Sequence, residues 1–253
     1  MDSEVKEKIA SSWNSHAKEY DLQYAHGLKS SREEEEWKRA LEKIIGADRK
    51  KVLDVGTGTG FIAILLAEMG HVVKGVDISE GMMEEARTKA EGKNLSIRFE
   101  YGDAENLGEP DDAYDVVINR HLLWTLQYPE KAVREWIRVL KPGGKLVVID
   151  GDWFYTKPSY FLSVFLGKLL VALTEFRNPW NNKSDYDRTL KKKLPMIRSK
   201  NARNAVSLVE KCGLKNIRAT GLEEVERAEK SAMPLKQKLL NPHKRMVIEG
   251  VKP

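Results

Sequence analysis

The chain has 253 residues, 41% hydrophobic and 32% charged, which suits a soluble globular protein with one α/β domain and an insertion. A single cysteine, Cys212, excludes a disulfide framework and a cysteine-cluster metal site, and His16, His71 and His243 lack partners at metal-ligand spacing. Net charge is +5 but uneven: residues 151–253 carry 21 Lys and Arg against 10 Asp and Glu (+11), residues 1–150 carry 22 against 28 (−6).

The first ten residues are charged and hold no apolar core, so no signal peptide is expected and the protein reads as cytoplasmic. Helices are predicted over Val5–Tyr20 and Ser31–Ile45. Strand and helix then alternate: strand Lys51–Val55, helix Phe61–Met69, strand Val72–Asp77, helix Gly81–Ala90, strand Ser96–Tyr101. Strand Tyr114–Asn119, helix Glu130–Leu140 and strand Lys145–Asp150 follow. Short β-branched strands alternating with helices of about ten residues mean βαβ units in a parallel sheet covered on both faces. The rhythm breaks at 153–199, where aromatic, apolar and basic blocks predict a helical insertion. Its longest apolar stretch, Tyr160–Leu173, contains Ser163 and Lys168 and falls short of the ~18 residues of a membrane span. A helix at Ala202–Lys211 and strands Lys215–Thr220 and Lys244–Glu249 close the chain. Between those strands Pro234 and Pro242 suggest loop with helical turns. The expected division is a helical cap (1–46), a ligand-binding domain (47–152 and 200–253) and a helical lid (153–199).

Residues Lys51 to Gly60 run from a buried strand through a G-x-G-x-G turn into a helix, with Asp54 two residues ahead of the first glycine. Such glycines let a ligand approach the backbone beside a helix N-terminus. A dinucleotide fingerprint would need glycine at 61, where the chain has Phe61. Asp77 ends the next strand, where a carboxylate can accept both hydroxyls of a ribose, and Asp103 ends the third, where it can accept from an adenine amino group. Each acid alone also fits a cap or turn aspartate.

Val52–Gly60, Gly75-Val76-Asp77, Gly102-Asp103-Ala104 and Arg138–Gly144 resemble, in order and spacing, the motifs of class I methyltransferases that use S-adenosylmethionine (SAM). The likeness is greatest to the small-molecule branch typified by ubiquinone/menaquinone-biosynthesis-type enzymes. It implies a Rossmann-like, mostly parallel seven-stranded sheet with helices on both faces and an antiparallel last strand. It implies SAM as cofactor, with Gly56, Gly58 and Gly60 beneath its methionine part and Asp54 beside them. Asp77 would hold the ribose, Ile78 would lie on adenine, and Asp103 with Ala104 would read the adenine edge. Asn119 and Arg120 would line the methionine side, and Tyr20 resembles the family's N-terminal tyrosine that touches the cofactor.

His121, after the fourth strand, suits general-base work near neutrality, or else holds its loop by a hydrogen bond. His26, near Tyr20, fits either a pocket cover or a helix-end histidine. Asp152 and Trp153 fit an acceptor site or an ordinary loop, and Tyr160–Leu173 a lid or a plain core helix. The expected acceptor is a small molecule, for which the basic C-terminal part and the run Lys191-Lys192-Lys193 allow an anion; a solvated surface explains the same charge. The alternatives are a nucleic-acid methyltransferase using that charge, a nicotinamide-dependent oxidoreductase, which Phe61 opposes, and a SAM-binding regulatory module.

Overall fold

Five strands pair in parallel because the connections between them, most of them helical, carry the chain back to the same end of the sheet before the next strand begins. The computed structural model describes residues 2–24, 26–151, 158–176, 178–180, 186, 188–198, 202–242 and 244–253. The strands are β1 (Lys51–Val55), β2 (Val72–Asp77), β3 (Arg98–Tyr101), β4 (Tyr114–Arg120), β5 (Leu140–Gly151), β6 (Lys215–Gly221) and β7 (Arg245–Val251). They form one seven-stranded sheet in the order β3-β2-β1-β4-β5-β7-β6. β1 to β5 run parallel, and β7 is antiparallel to both neighbours, β5 and β6. Strand order reverses beside β1, so a crevice opens between the carboxyl ends of β1 and β4, where open α/β sheets bind ligands.

Alternation along the strands divides the core. Leu53, Val55 and Val117 face α5 (Pro129–Val139) and α8 (Ala202–Lys211), with Trp136 fully buried. Val52, Ile118 and Ile149 face the other side, which is covered by α2 (Ser31–Ile45), α3 (Phe61–Glu68), α4 (Glu80–Gly92) and α9 (Glu223–Ala232). Trp37, Leu41 and Ile45 line the buried stripe of α2. The apolar stripe of α2, within the expected 1–46 cap, thus packs on this face of the sheet.

A third, smaller core joins α1 (Asp2–Tyr20) to the insertion. Val5 and Ile9 of α1 pack with Tyr186, Leu190 of α7 (Arg188–Lys192), Leu194 and Ile197, and Trp13, Ile78 and Trp124 close against them. Within the expected lid, α6 (Pro158–Glu175) takes a different course. It pairs with α10 (Leu235–Leu240): Ser163 Oγ donates to Leu239 O at 2.9 Å, and Lys236 meets Glu175 at 2.5 Å. Among the described residues, no helix is long and apolar enough to cross a membrane.

One element departs from its prediction. The segment expected as loop with helical turns holds the ten-residue helix α9. Pro234 lies beyond its end and does not interrupt it, and its buried stripe is thin, with Val225 and Ala228 beside Glu226 and Glu229. Those two carboxylates are accepted in the core because Arg245 meets both: its N–H donates to Glu226 at 2.5 Å and its guanidinium pairs with Glu229.

Candidate functional site

The turn after β1 is built for close approach. Gly56 and Gly58 sit at φ 67° and 54°, a left-handed region costly for side-chain-bearing residues. A Cβ on Gly56 would lie 2.7 Å from Leu122 Cδ1, whereas one on Gly58 would meet no heavy atom within 4 Å. The N–H groups of Gly56 and Thr57 donate to Val76 O, which ties the turn to the end of β2.

A cavity opens above it at the carboxyl ends of β1, β2 and β4. The space above the turn amounts to about 980 Å³, open solvent at its mouth included. Asp54, Gly56 and Gly58 line its floor, and Asp77 and Ile78 one wall. Asp103 and Ala104 stand beyond β3, Arg120 ends β4 with His121 next to it, and Tyr20 closes from α1. Two other expected residues lie off it. Gly60 is the left-handed cap of α3, where a Cβ would press on Ala86, and Asn119 is fully buried one residue before Arg120. Asp152, Trp153 and His243 lie outside the described residues.

The three acids differ in surroundings. Asp54 is buried and accepts from Thr57 Oγ1 at 2.8 Å; burial pushes its pKa up to about 7. Asp77 accepts from Gly58 N and Ser79 N, each at 2.8 Å, one bond per oxygen. Burial raises its pKa and those N–H groups oppose the rise. A carboxylate has about four acceptor positions, so both oxygens can still receive a ligand's hydroxyls. Asp103 accepts from Glu105 N at 2.9 Å and pairs with Lys6 of α1 at 2.6 Å.

Around β4, Arg120 donates to His26 O at 2.9 Å, with its guanidinium 3.8 Å from the Phe61 ring centroid. His26 stands edge-on to Tyr20 at 4.4 Å and 5.9 Å from the His121 ring. Burial first, then the charges of Arg120 and Arg245, lower its pKa to about 3, so it is neutral at physiological pH. His121 is buried at φ 58°, unusual for a residue with a side chain, and its N–H donates to Ile149 O.

The sequence pointed to Tyr20 of α1 but not to the rest of the wall that this helix makes. Lys6, Ile9 and Trp13 line the cavity with Tyr20. The signal was present, since Val5, Ile9 and Trp13 recur every fourth residue, but the stripe does not say what it covers. Three polar ties hold α1 and its following turn down. Lys6 bridges Asp103 and Glu105, Asn14 Oδ1 accepts from Ser79 Oγ and Gly81 N, and Asp21 meets Thr59 and Lys89.

These features define an open α/β protein with its site at the strand carboxyl ends. A family model described as "Methyltransferase domain" matches residues 53–148. Over 193 residues the chain is 33% identical to the ubiquinone/menaquinone biosynthesis C-methyltransferase UbiE of Stutzerimonas stutzeri, covering 69% of this chain and 73% of that one. It is 40% identical over 115 residues to a demethylmenaquinone methyltransferase of Thermus thermophilus, covering 45% of this chain and 52% of that one, so it spans about half the length of that relative. A crystal structure of a SAM-dependent methyltransferase from Aquifex aeolicus superposes with a TM-score of 0.60 at 18% identity, over 95% of this chain and 98% of that one, and shares the fold. The chain belongs to the class I SAM-dependent methyltransferases, in their small-molecule branch.

Proposed function

We propose that the chain takes SAM in this cavity and passes its methyl group to a small acceptor of the quinol type, in the cytosol. The observation that carries the reading is the convergence of Asp54, Asp77, Asp103 and the glycine turn on one cavity. The side chains fit the cofactor's parts. Asp77 offers two acceptor oxygens to a ribose, Ile78 and Ala104 offer apolar flanks to a base, and Gly56 and Gly58 leave room for the methionine part. Arg120 and Tyr20 close the methionine side. Bound there, SAM supplies a methyl on sulfonium sulfur, which keeps the C–S electron pair as the acceptor atom bonds to carbon.

The protein's share is alignment and exclusion of water, which supplies several kcal/mol in such displacements. α1, Tyr186 and residues 188–198 form the cap, with Trp13 and Trp124 in edge contact at 6.1 Å. His121, on the cavity wall, takes the proton that the acceptor loses. The quinol class rests on the activities of the relatives, which do not support nucleic-acid or nicotinamide chemistry. Lys192 and Lys193, exposed at the end of α7, suit an anionic group on the acceptor.

Two charged hydrogen bonds to a ribose are worth roughly 1.5–3 kcal/mol each. Asp77→Ala should therefore weaken SAM at least about tenfold in calorimetry. Unchanged affinity in a folded variant refutes the placement. Labelled methyl transfer to a demethylated quinol tests the acceptor, and transfer to no quinol, with SAM still bound, overturns that part alone.

A further inference from the structure

Among the described residues, helix α6 packs on α10 and leaves its other side exposed. On the inner side Ser163 Oγ donates to Leu239 O, and a Cβ on Gly167 would lie 2.9 Å from Leu240. On the outer side Phe161, Leu162, Phe165, Leu166, Leu169 and Leu173 are each 39–64% exposed, and Phe176, just past the helix end, is 95% exposed. At 100° per residue the six fall within one arc, turned away from Ser163 and Gly167.

The spacing within the arc points to the kind of partner. Leu162, Leu166, Leu169, Leu173 and Phe176 follow one another at intervals of four, three, four and three residues. That is the repeat of the seam along which two helices pack knobs into holes, and it is narrower than the stripe of a helix lying on a sheet. Two heptads make a short seam, which Phe161 and Phe165 widen along one flank. The area is of the right size. At these exposures two phenylalanines and four leucines present roughly 700 Å² per copy, near the ~800 Å² that each partner brings to a standard-size interface.

A face that pairs with itself must bring no charge against its own copy. The charged residues of α6 are Lys168 and Glu175; both lie to one side of the seam, and Glu175 is held by Lys236 of α10. We propose that the outer face of α6 is a dimer interface, on which α6 of a second copy of this chain packs about a two-fold axis with Leu169 at its middle. The proposal goes beyond the methyl-transfer reading, and its test needs neither SAM turnover nor an acceptor.

Sedimentation equilibrium of the full chain should show a dimer of the 28.8 kDa protomer at micromolar concentration. Leu166→Glu with Leu169→Glu sets four carboxylates in the seam of that dimer and should raise its Kd at least about a hundredfold, with circular dichroism and SAM affinity unchanged. Leu169→Cys asks the same question without a charge. Mid-seam, residue 169 faces its own counterpart whether the two-fold runs along the helices or across them, so mild oxidation should give a disulfide-linked dimer. Thr174→Cys, exposed outside the arc, should not, and the native Cys212 is buried. A monomeric wild type, a dimer that the folded glutamate variant keeps, or cross-linking of Thr174→Cys as readily as of Leu169→Cys overturns the proposal. A monomeric wild type that floats with phosphatidylcholine vesicles assigns the face to a lipid surface instead.

Discussion

Lys6 of α1 places its ammonium 2.6 Å from Asp103 Oδ2 and 2.8 Å from Glu105 Oε2, and so pins the N-terminal helix to the far wall of the cavity. The Glu105 side chain is almost wholly buried, and its other oxygen accepts the N–H groups of Gln127 and Tyr128, each at 2.8 Å. One lysine thus joins the cap to the loops after β3 and β4. Lys6→Met keeps the apolar stem and removes the charge. Losing a charge-assisted bond to a carboxylate costs about 1.5–3 kcal/mol, less solvent screening at this quarter-exposed lysine. SAM should dissociate several-fold faster, in stopped-flow exchange, with little change in melting temperature. An unchanged off-rate shows that α1 does not gate the cavity.

The glycine turn makes a sharper demand. Gly58 has φ 54° and open space where a Cβ would stand, on the lining of the cavity. In Gly58→Val the branched side chain projects into that space and carries a backbone cost of roughly 1–2 kcal/mol. Melting should fall by several degrees while SAM binding is lost. A folded variant that still binds SAM tightly contradicts the proposed position of the methionine part.

Asp54 gives a pH dependence. Its pKa is raised by burial to about 7, above the ordinary carboxylate value of 3.8. At pH 6 the folded protein therefore holds a proton that the unfolded chain has lost. This group's contribution to stability accordingly declines as pH rises between about 4 and 7, and is level above that. A bound cation beside Asp54 favours its ionised form, so SAM binding below pH 7 should release a proton. Calorimetry in buffers of different ionisation enthalpy measures that release; Asp54→Asn should abolish it. Proton uptake, or no exchange in the wild type at pH 6, rules the coupling out.

Most of the sheet was legible because its strands are local objects: β1, β2 and β4 are short runs rich in valine and other apolar residues. The floor of the site was legible for the same reason, since Asp54, Gly56, Gly58 and Asp77 sit at fixed offsets from strand ends. The cap was not. Whether Val5, Ile9 and Trp13 cover a sheet, another helix or a ligand depends on contacts about 180 residues away in sequence, with Leu190 and Leu194. α6 shows the converse, a strongly apolar helix that reads as core or lid and leaves its apolar arc exposed. α9 was hidden because its buried glutamates look like surface until Arg245, on the last strand, is placed beside them.

His121 allows a test that separates chemistry from support. Its backbone is at φ 58°, its N–H holds Ile149 O, and its ring lies on the cavity wall beside His26. Asparagine tolerates the left-handed region, and glycine adopts it freely. His121→Gly should therefore relieve backbone strain of about 1 kcal/mol, partly offset by the lost ring packing. If the imidazole takes the acceptor's proton, both His121→Asn and His121→Gly lower kcat by roughly 10²–10⁴ and leave SAM affinity nearly unchanged. The acidic limb of the pH–rate profile, set by the imidazole in the wild type, then disappears from the residual activity. A ring that only supports its loop gives another pattern: SAM affinity and kcat fall together, and His121→Asn, which keeps a hydrogen-bonding side chain at the same backbone angle, restores much of both. Retention of the acidic limb in His121→Asn decides against the base role.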